Sequence, residues 1–179
     1  ERDLNITWEA TCRVNYFNDN YINNELIIKL KKSGLVRLWF GAESGSQRIL
    51  DMIKKDTKVW QIIESAKRLT NSGIIGNYSF MCGLPGEKKI DMLKTLNLIG
   101  KLIKINKNIE IIGPQAYRPY PGGELYDKAI KSGWPEPKEL EGWEDSMKRE
   151  EYLVGKKYYP WVKNPIFVQS LIIYVLFGA

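Results

Sequence analysis

The chain of 179 residues, 44% hydrophobic and 27% charged, is long enough to bury the core of one ordinary domain, and its composition excludes disorder, collagen-like repeats and low complexity. The formal charge of +6 is dispersed and interleaved with acids, as at Lys54-Lys55-Asp56, which favours solvated helix faces and argues against a nucleic-acid surface. Histidine is absent, which removes imidazole zinc sites and serine-histidine-acid triads, and the two cysteines, Cys12 and Cys82, share no metal-type spacing, so a reducing cytoplasm is the expected compartment.

The first β-prone segment is residues 4–14, with no signal-peptide pattern before it. A helix is predicted at 22–33, with Leu26, Ile27 and Leu30 on one stripe and Gly34 as its stop. The second strand, 36–42, leads to a short helix at 46–55 and a longer one at 58–72, whose inward residues are Ile62, Ile63, Ala66 and Leu69. A third strand at 74–84, a helix at 89–105 with Leu93, Leu96 and Ile99 on one side, and a fourth strand at 109–117 complete the pattern. A short helix at 124–131 ends at Ser132-Gly133. Trp134-Pro135-Glu136-Pro137 then breaks regular structure, and Trp143, Tyr152, Tyr158, Tyr159 and Trp161 make an aromatic stretch. Residues 166–179 are mostly apolar but fall short of the ~20 needed to cross a bilayer, so a packed core helix is expected there and no transmembrane span. Both termini read as cut edges of a longer protein.

Strand, helix, strand at this pitch is the sign of parallel βαβ units, because a parallel crossover needs a dozen or more residues. The expected fold is α/β: a partial (β/α) barrel of parallel strands over residues 1–133, with a helical, aromatic-rich extension over 134–179 packed on it. Such folds gather their functional loops at the carboxyl ends of the strands. All four predicted strand ends carry unusual residues: Thr11-Cys12-Arg13-Val14, Gly41-Ala42-Glu43-Ser44-Gly45-Ser46, Cys82-Gly83-Leu84-Pro85-Gly86-Glu87, and Tyr117-Arg118-Pro119-Tyr120. Glu43 follows an apolar strand and needs a partner: a ligand hydroxyl or amine, a helix start near Ser46, or Arg37 or Arg48. Pro85-Gly86 suits the centre of a type II turn, and Glu87 belongs either to the first turn of the next helix or to a ligand. Arg13 and Arg118 are either anion-binding or stacked at the rim.

Gly41-Ala42-Glu43-Ser44-Gly45-Ser46, then Leu50, Lys54, Phe80-Met81-Cys82-Gly83-Leu84-Pro85-Gly86-Glu87, Tyr120-Pro121-Gly122-Gly123-Glu124-Leu125-Tyr126 and Gly133, in that order, resemble the second half of a radical S-adenosylmethionine (SAM) domain. The resemblance is to the branch in which a cobalamin-binding domain precedes the radical domain, including anaerobic magnesium-protoporphyrin IX monomethyl ester oxidative cyclases and various methyltransferases. It covers residues 4–145.

The resemblance implies about four βα units of a six-unit barrel and, in the parent enzyme, a [4Fe–4S] cluster on a CxxxCxxC loop that cleaves SAM to a 5′-deoxyadenosyl radical. It implies SAM contacts from Glu43 and Ser44 on ribose or methionine, from Met81, Cys82 and Gly83 beside adenine, from Gln115 and Tyr117 as a second adenine contact, and from Arg13 at the rim. It implies a small-molecule substrate, a reductant protein for the cluster and, by branch, cobalamin. The sequence departs from the family in having Ser79 at a usual glycine, Glu87 one residue late, and no CxxxCxxC, so the cluster ligands are expected outside this chain and the chain alone is expected to be inactive. No catalytic residue and no metal ligand is assigned within it. The alternatives are a non-catalytic α/β binding or scaffolding domain, and an RNA-modifying radical SAM methylthiotransferase. An exposed parallel edge would also invite pairing of two copies.

Overall fold

The computed structural model describes residues 5–148 and 155–178. The elements in chain order are β1 (Trp8–Thr11), a short 3₁₀ turn (Val14–Tyr16), α1 (Asn24–Lys32), β2 (Leu35–Glu43), α2 (Gln47–Met52), α3 (Val59–Arg68), β3 (Ile75–Cys82), α4 (Lys89–Ile105), β4 (Ile109–Ala116), α5 (Glu124–Lys131), α6 (Leu140–Lys148) and α7 (Pro165–Gly178). The strands form one parallel sheet in the order β1-β2-β3-β4, with a helix in every crossover. This is the α/β arrangement that the strand-helix pitch predicts.

The chain divides into two compact units: Glu1–Phe80 with Lys89–Ile112, and Met81–Lys88 with Gly113–Ala179. In the first, β2 alternates strictly from Arg37 onward. Leu38, Phe40 and Ala42 are buried on the helix-covered face, and Arg37, Trp39, Gly41 and Glu43 take the other. Phe40 stacks on Tyr78 of β3 at 4.9 Å and meets Phe17 edge-on at 5.3 Å. The Tyr78 hydroxyl is satisfied by the buried Ser65 hydroxyl of α3 at 2.9 Å, so the core accommodates this phenol without an orphaned polar atom. Helix α1 begins at Asn23, whose side chain accepts from the Leu26 N–H at 2.9 Å, and its lysines Lys29, Lys31 and Lys32 fall in the last turn where the helix dipole favours them.

In the second unit the extension is built on aromatic contacts. Trp134 is buried between Tyr126 at 6.1 Å and Trp143 at 5.9 Å, and α7 buries Val168, Leu171, Ile172 and Val175.

Several boundaries differ from expectation. The first strand ends at Thr11, because Val14–Tyr16 coils into a 3₁₀ turn closed by Tyr16 N–H to the Arg13 carbonyl at 3.1 Å; the Leu4 end of that prediction lies outside the described residues, as does Tyr152. Helix α3 stops at Arg68, and α6 lies in the extension that is expected to be helical, where the sequence sets no bounds. The buried stripe of α4 is Asp91, Met92, Thr95, Leu98, Ile99 and Leu102, while Leu93 is exposed: the helix is turned so that two polar residues, Asp91 and Thr95, face inward. Helix α7 is only half a core helix, since Ile166, Ile173, Tyr174, Leu176 and Phe177 are exposed. No helix among the described residues is long and apolar enough to cross a membrane.

Candidate nucleoside-binding strand ends

The turn after β2 is the most constrained part of the first unit. The pairing of β2 with β3 slips between Gly41 and Glu43, and Glu43 takes a left-handed backbone (φ 60°), a conformation that costs a non-glycine residue energy unless its surroundings enforce it. They do. Ser44 is fully buried and its hydroxyl accepts from the Ser46 N–H at 3.1 Å and lies 3.1 Å from Thr95 Oγ1, which also accepts from the Gly45 N–H at 2.9 Å. The Ser46 hydroxyl donates to the buried Asp91 carboxylate at 2.6 Å, and Arg48 forms an ion pair with the same carboxylate. Gly45 is pressed so closely on α4 that a Cβ there would lie 2.4 Å from the Lys94 carbonyl oxygen. The inward polar residues of α4 therefore exist to hold this turn.

The product of this scaffolding is the placement of Glu43. Its carboxylate, 16% exposed, accepts from Lys55 Nζ at 2.7 Å through Oε1. None of the cationic partners considered from sequence spacing is used: Arg37 bridges Glu9 and Glu110, and Arg48 is on Asp91. Lys55 is held in turn by Arg13, whose guanidinium donates to the Lys55 carbonyl at 2.7 Å. Gly41 leaves the necessary space, since a Cβ on it would lie 2.4 Å from Glu43 Oε1 and 2.8 Å from Lys55 Nζ. Lys55 was missed because its side chain reaches Glu43 only after the chain has passed through α2. Arg13 thus binds a backbone loop of its own unit.

In the second unit, the turn after β3 runs Leu84-Pro85-Gly86-Glu87 and closes with the Glu87 N–H on the Leu84 carbonyl at 2.9 Å, with Gly86 at φ 86° as a type II turn requires. Glu87 Oε2 accepts from the Leu84 N–H at 3.1 Å, so this carboxylate braces the turn ahead of α4, which begins two residues later. Gly83 presents its carbonyl to the Trp161 indole N–H at 2.7 Å, and Trp161 packs edge-on against both Tyr117 at 6.2 Å and Tyr159 at 5.6 Å. The Tyr117 N–H bonds the Cys82 carbonyl at 2.8 Å, carrying the pairing from the last residue of β3 to one residue past β4. Burial pushes the Tyr117 phenol up. Met81 and Gln115 are half-buried on their strands.

Burial also raises the Cys82 thiol strongly, and that of Cys12 as well, where a backbone hydrogen bond at Arg13 partly opposes it. Cys82 is 1% exposed. A thiol-specific reagent at mildly alkaline pH is therefore expected to modify Cys12 slowly and Cys82 only after denaturant is added, because the thiolate is the reacting species. Equal rates for both thiols in the native protein would show that β3 is not buried as described.

Residues 5–99, more than half of the chain, match the family model for the radical SAM superfamily. The chain belongs to the radical SAM superfamily. It is 32% identical over 130 residues to an uncharacterized methyltransferase of Pyrococcus horikoshii, covering 73% of this chain and 26% of that protein. It is 27% identical over 128 residues to the anaerobic magnesium-protoporphyrin IX monomethyl ester cyclase of Rubrivivax gelatinosus, covering 72% and 22%. The archaeal Elp3 of Methanocaldococcus infernus, solved with an N-terminal deletion, superposes with a TM-score of 0.54 at 22% identity, covering 70% of this chain and 28% of that one, which shows a shared fold. The chain spans about a quarter of the length of the curated relatives it matches.

Two cofactors follow from superfamily membership, and they fit this chain differently. An iron-sulfur cluster needs three thiolates at short spacing. The sequence has only Cys12 and Cys82, and no group of three metal-ligating side chains occurs among the described residues, so this chain does not hold the cluster. SAM fits better at Glu43. That carboxylate is fixed, partly open, and has Lys55 as its one protein partner among the described residues, leaving Oε2 for a hydroxyl donor.

Proposed function

We propose that this chain is the SAM-binding portion of a radical SAM enzyme, and that the whole protein modifies a small organic substrate by radical chemistry such as oxidative cyclisation or methylation. The observation that carries the proposal is the enforced left-handed Glu43, whose carboxylate is held by Lys55 at the end of a parallel strand inside the matched region. In the first unit Glu43 accepts from the ribose or the methionine end of SAM, Ser44 holds the turn, and Arg13 fixes the loop that carries Lys55. In the second unit, Met81, Cys82, Gly83, Gln115 and Tyr117 are assigned to adenine by their places at the ends of β3 and β4. When bound to its cluster, SAM supplies a 5′-deoxyadenosyl radical. The residues here orient the nucleoside and keep water from it.

The cluster, a protein reductant and, by the branch resembled, cobalamin belong to the whole protein. The alternative of RNA methylthiolation is supported by less: the charge is dispersed, and the resembled motifs are those of the cobalamin branch. The test is made on the full-length protein after anaerobic reconstitution. With dithionite and SAM it should yield methionine and 5′-deoxyadenosine, and Glu43→Ala should cut that yield about tenfold or more through loss of a charged hydrogen bond. This chain by itself should stay colourless after the same treatment; a stable cluster of roughly four irons on it would overturn the assignment of ligands.

A further inference from the structure

Against the non-helical face of β1–β3 in the first unit lies a cavity of about 520 Å³, lined by Thr11, Tyr16, Trp39, Gly41, Asn77 and Ser79 among others. Two of these residues are prepared for something that the described residues do not supply. The Trp39 indole is locked: its N–H donates to Glu9 Oε2 at 2.8 Å, and the Arg37 guanidinium covers its ring with 5.6 Å to the centroid. Arg37 is held in turn by Glu9 at 2.7 Å and Glu110 at 3.0 Å, so neither the ring nor its cover can rotate freely. A ring immobilised before binding loses little entropy when a partner stacks on it.

Asn77 is Trp39's direct neighbour across the β2–β3 ladder and lies on the same face. It is 3% exposed, and its Nδ2 donates to Glu110 Oε2 at 3.0 Å. That bond fixes the amide, because turning it over would set two oxygens against each other. Asn77 Oδ1 is consequently a buried acceptor with no partner among the described residues. Buried acceptors of this kind are rare without a role. Next along the face, Gly41 pairs with Ser79 and contributes no side chain, so the space beyond Trp39 stays open.

We propose that this cavity binds a planar heteroaromatic ring carrying an N–H or O–H donor, with Trp39 as its stacking surface and Asn77 Oδ1 as its acceptor. Arg13, the charged residue in the lining, is engaged by the Lys55 carbonyl at 2.7 Å, and nearby Arg37 is paired with Glu9 and Glu110 and Glu43 with Lys55, so a neutral ring suits the site. That the ring belongs to a ligand of a radical enzyme rests on the function proposed above; its chemistry rests on the cavity alone. The nucleoside base is assigned above to the ends of β3 and β4, so the ring is the substrate's.

The experiment uses the isotope-labelled chain and benzimidazole as the probe. The Trp39 indole N–H resonance is identified by its loss in Trp39→Phe. Benzimidazole should shift that resonance and the Asn77 side-chain amide, and cyclohexanol, of similar size but not planar, should not. Trp39→Ala should weaken benzimidazole about tenfold, as removal of a stacking surface does, while Trp39→Phe keeps most of the affinity. N-methylbenzimidazole, which has no donor, should bind roughly fivefold more weakly. An unmoved Trp39 resonance in the folded chain, equal shifts with cyclohexanol, or no effect of N-methylation overturns the proposal. Adenosine tests the source: shifts at Trp39 with benzimidazole and not with adenosine assign the ring to the substrate, and equal shifts with adenosine overturn that assignment. If S-adenosylhomocysteine shifts the Glu43 amide while benzimidazole leaves Trp39 unmoved, only this inference falls. The reverse result removes the nucleoside reading and leaves the cavity assignment standing.

Discussion

Asp91→Ala is expected to lower the stability of the folded chain by about 3 kcal/mol, read as a reduced urea midpoint at unchanged slope. The carboxylate is 1% exposed and serves two partners, the Ser46 hydroxyl at 2.6 Å and the Arg48 guanidinium. Truncation leaves the fully buried Ser46 hydroxyl without its acceptor, which alone is worth about 1–3 kcal/mol. Arg48, 44% exposed at its side chain, recovers water when freed, so the loss stays near the lower end of the range for broken buried pairs. Asp91→Asn keeps an acceptor for Ser46 but not the charge, and should recover roughly half of the loss. A change below about 1 kcal/mol for the alanine variant would mean that the turn after β2 does not depend on α4.

The strands and their parallel connection were legible because β2, β3 and β4 are apolar runs separated by helical periodicity, a signal set by backbone geometry alone. The ends of α4 and α5 were equally legible from local residues. What could not be read was every contact that depends on three-dimensional closure. Leu93 matches the apolar period of α4 yet is exposed, because the demand of the Ser44–Ser46 turn for hydrogen bonds turns Asp91 and Thr95 inward. Glu43 was recognised as needing a partner, but its partner, Lys55, comes from the loop after α2 and has no fixed spacing to a strand end. Asn77 and Trp39 carry no site signal in the sequence, since Trp39 reads as one more apolar residue of the strand before Glu43 and Asn77 as an ordinary polar one until their hydrogen bonds are seen.

Gly45→Ala should be at least as damaging, by about 3 kcal/mol, since the new methyl meets backbone rather than a side chain that could move. Its Cβ would lie 2.4 Å from the Lys94 carbonyl oxygen and 2.7 Å from Thr95 Cα, so either the turn or α4 must shift. A shift of the turn stretches the Gly45 N–H to Thr95 bond of 2.9 Å and the contacts of the buried Ser44 hydroxyl with it. Asp91 stands one helical turn before Thr95, and its contacts to Ser46 and Arg48 would be pulled apart by the same movement. The two substitutions should therefore not add: the double variant Gly45→Ala/Asp91→Ala should fall short of the summed losses by about 1 kcal/mol or more, measured as a double-mutant cycle by urea unfolding. Additive losses would mean that Gly45 and Asp91 support different parts of the unit. Coupling would show that one clamp, made by α4 on residues 44–48, enforces the left-handed backbone of Glu43 and so the position of the carboxylate that we propose holds the nucleoside.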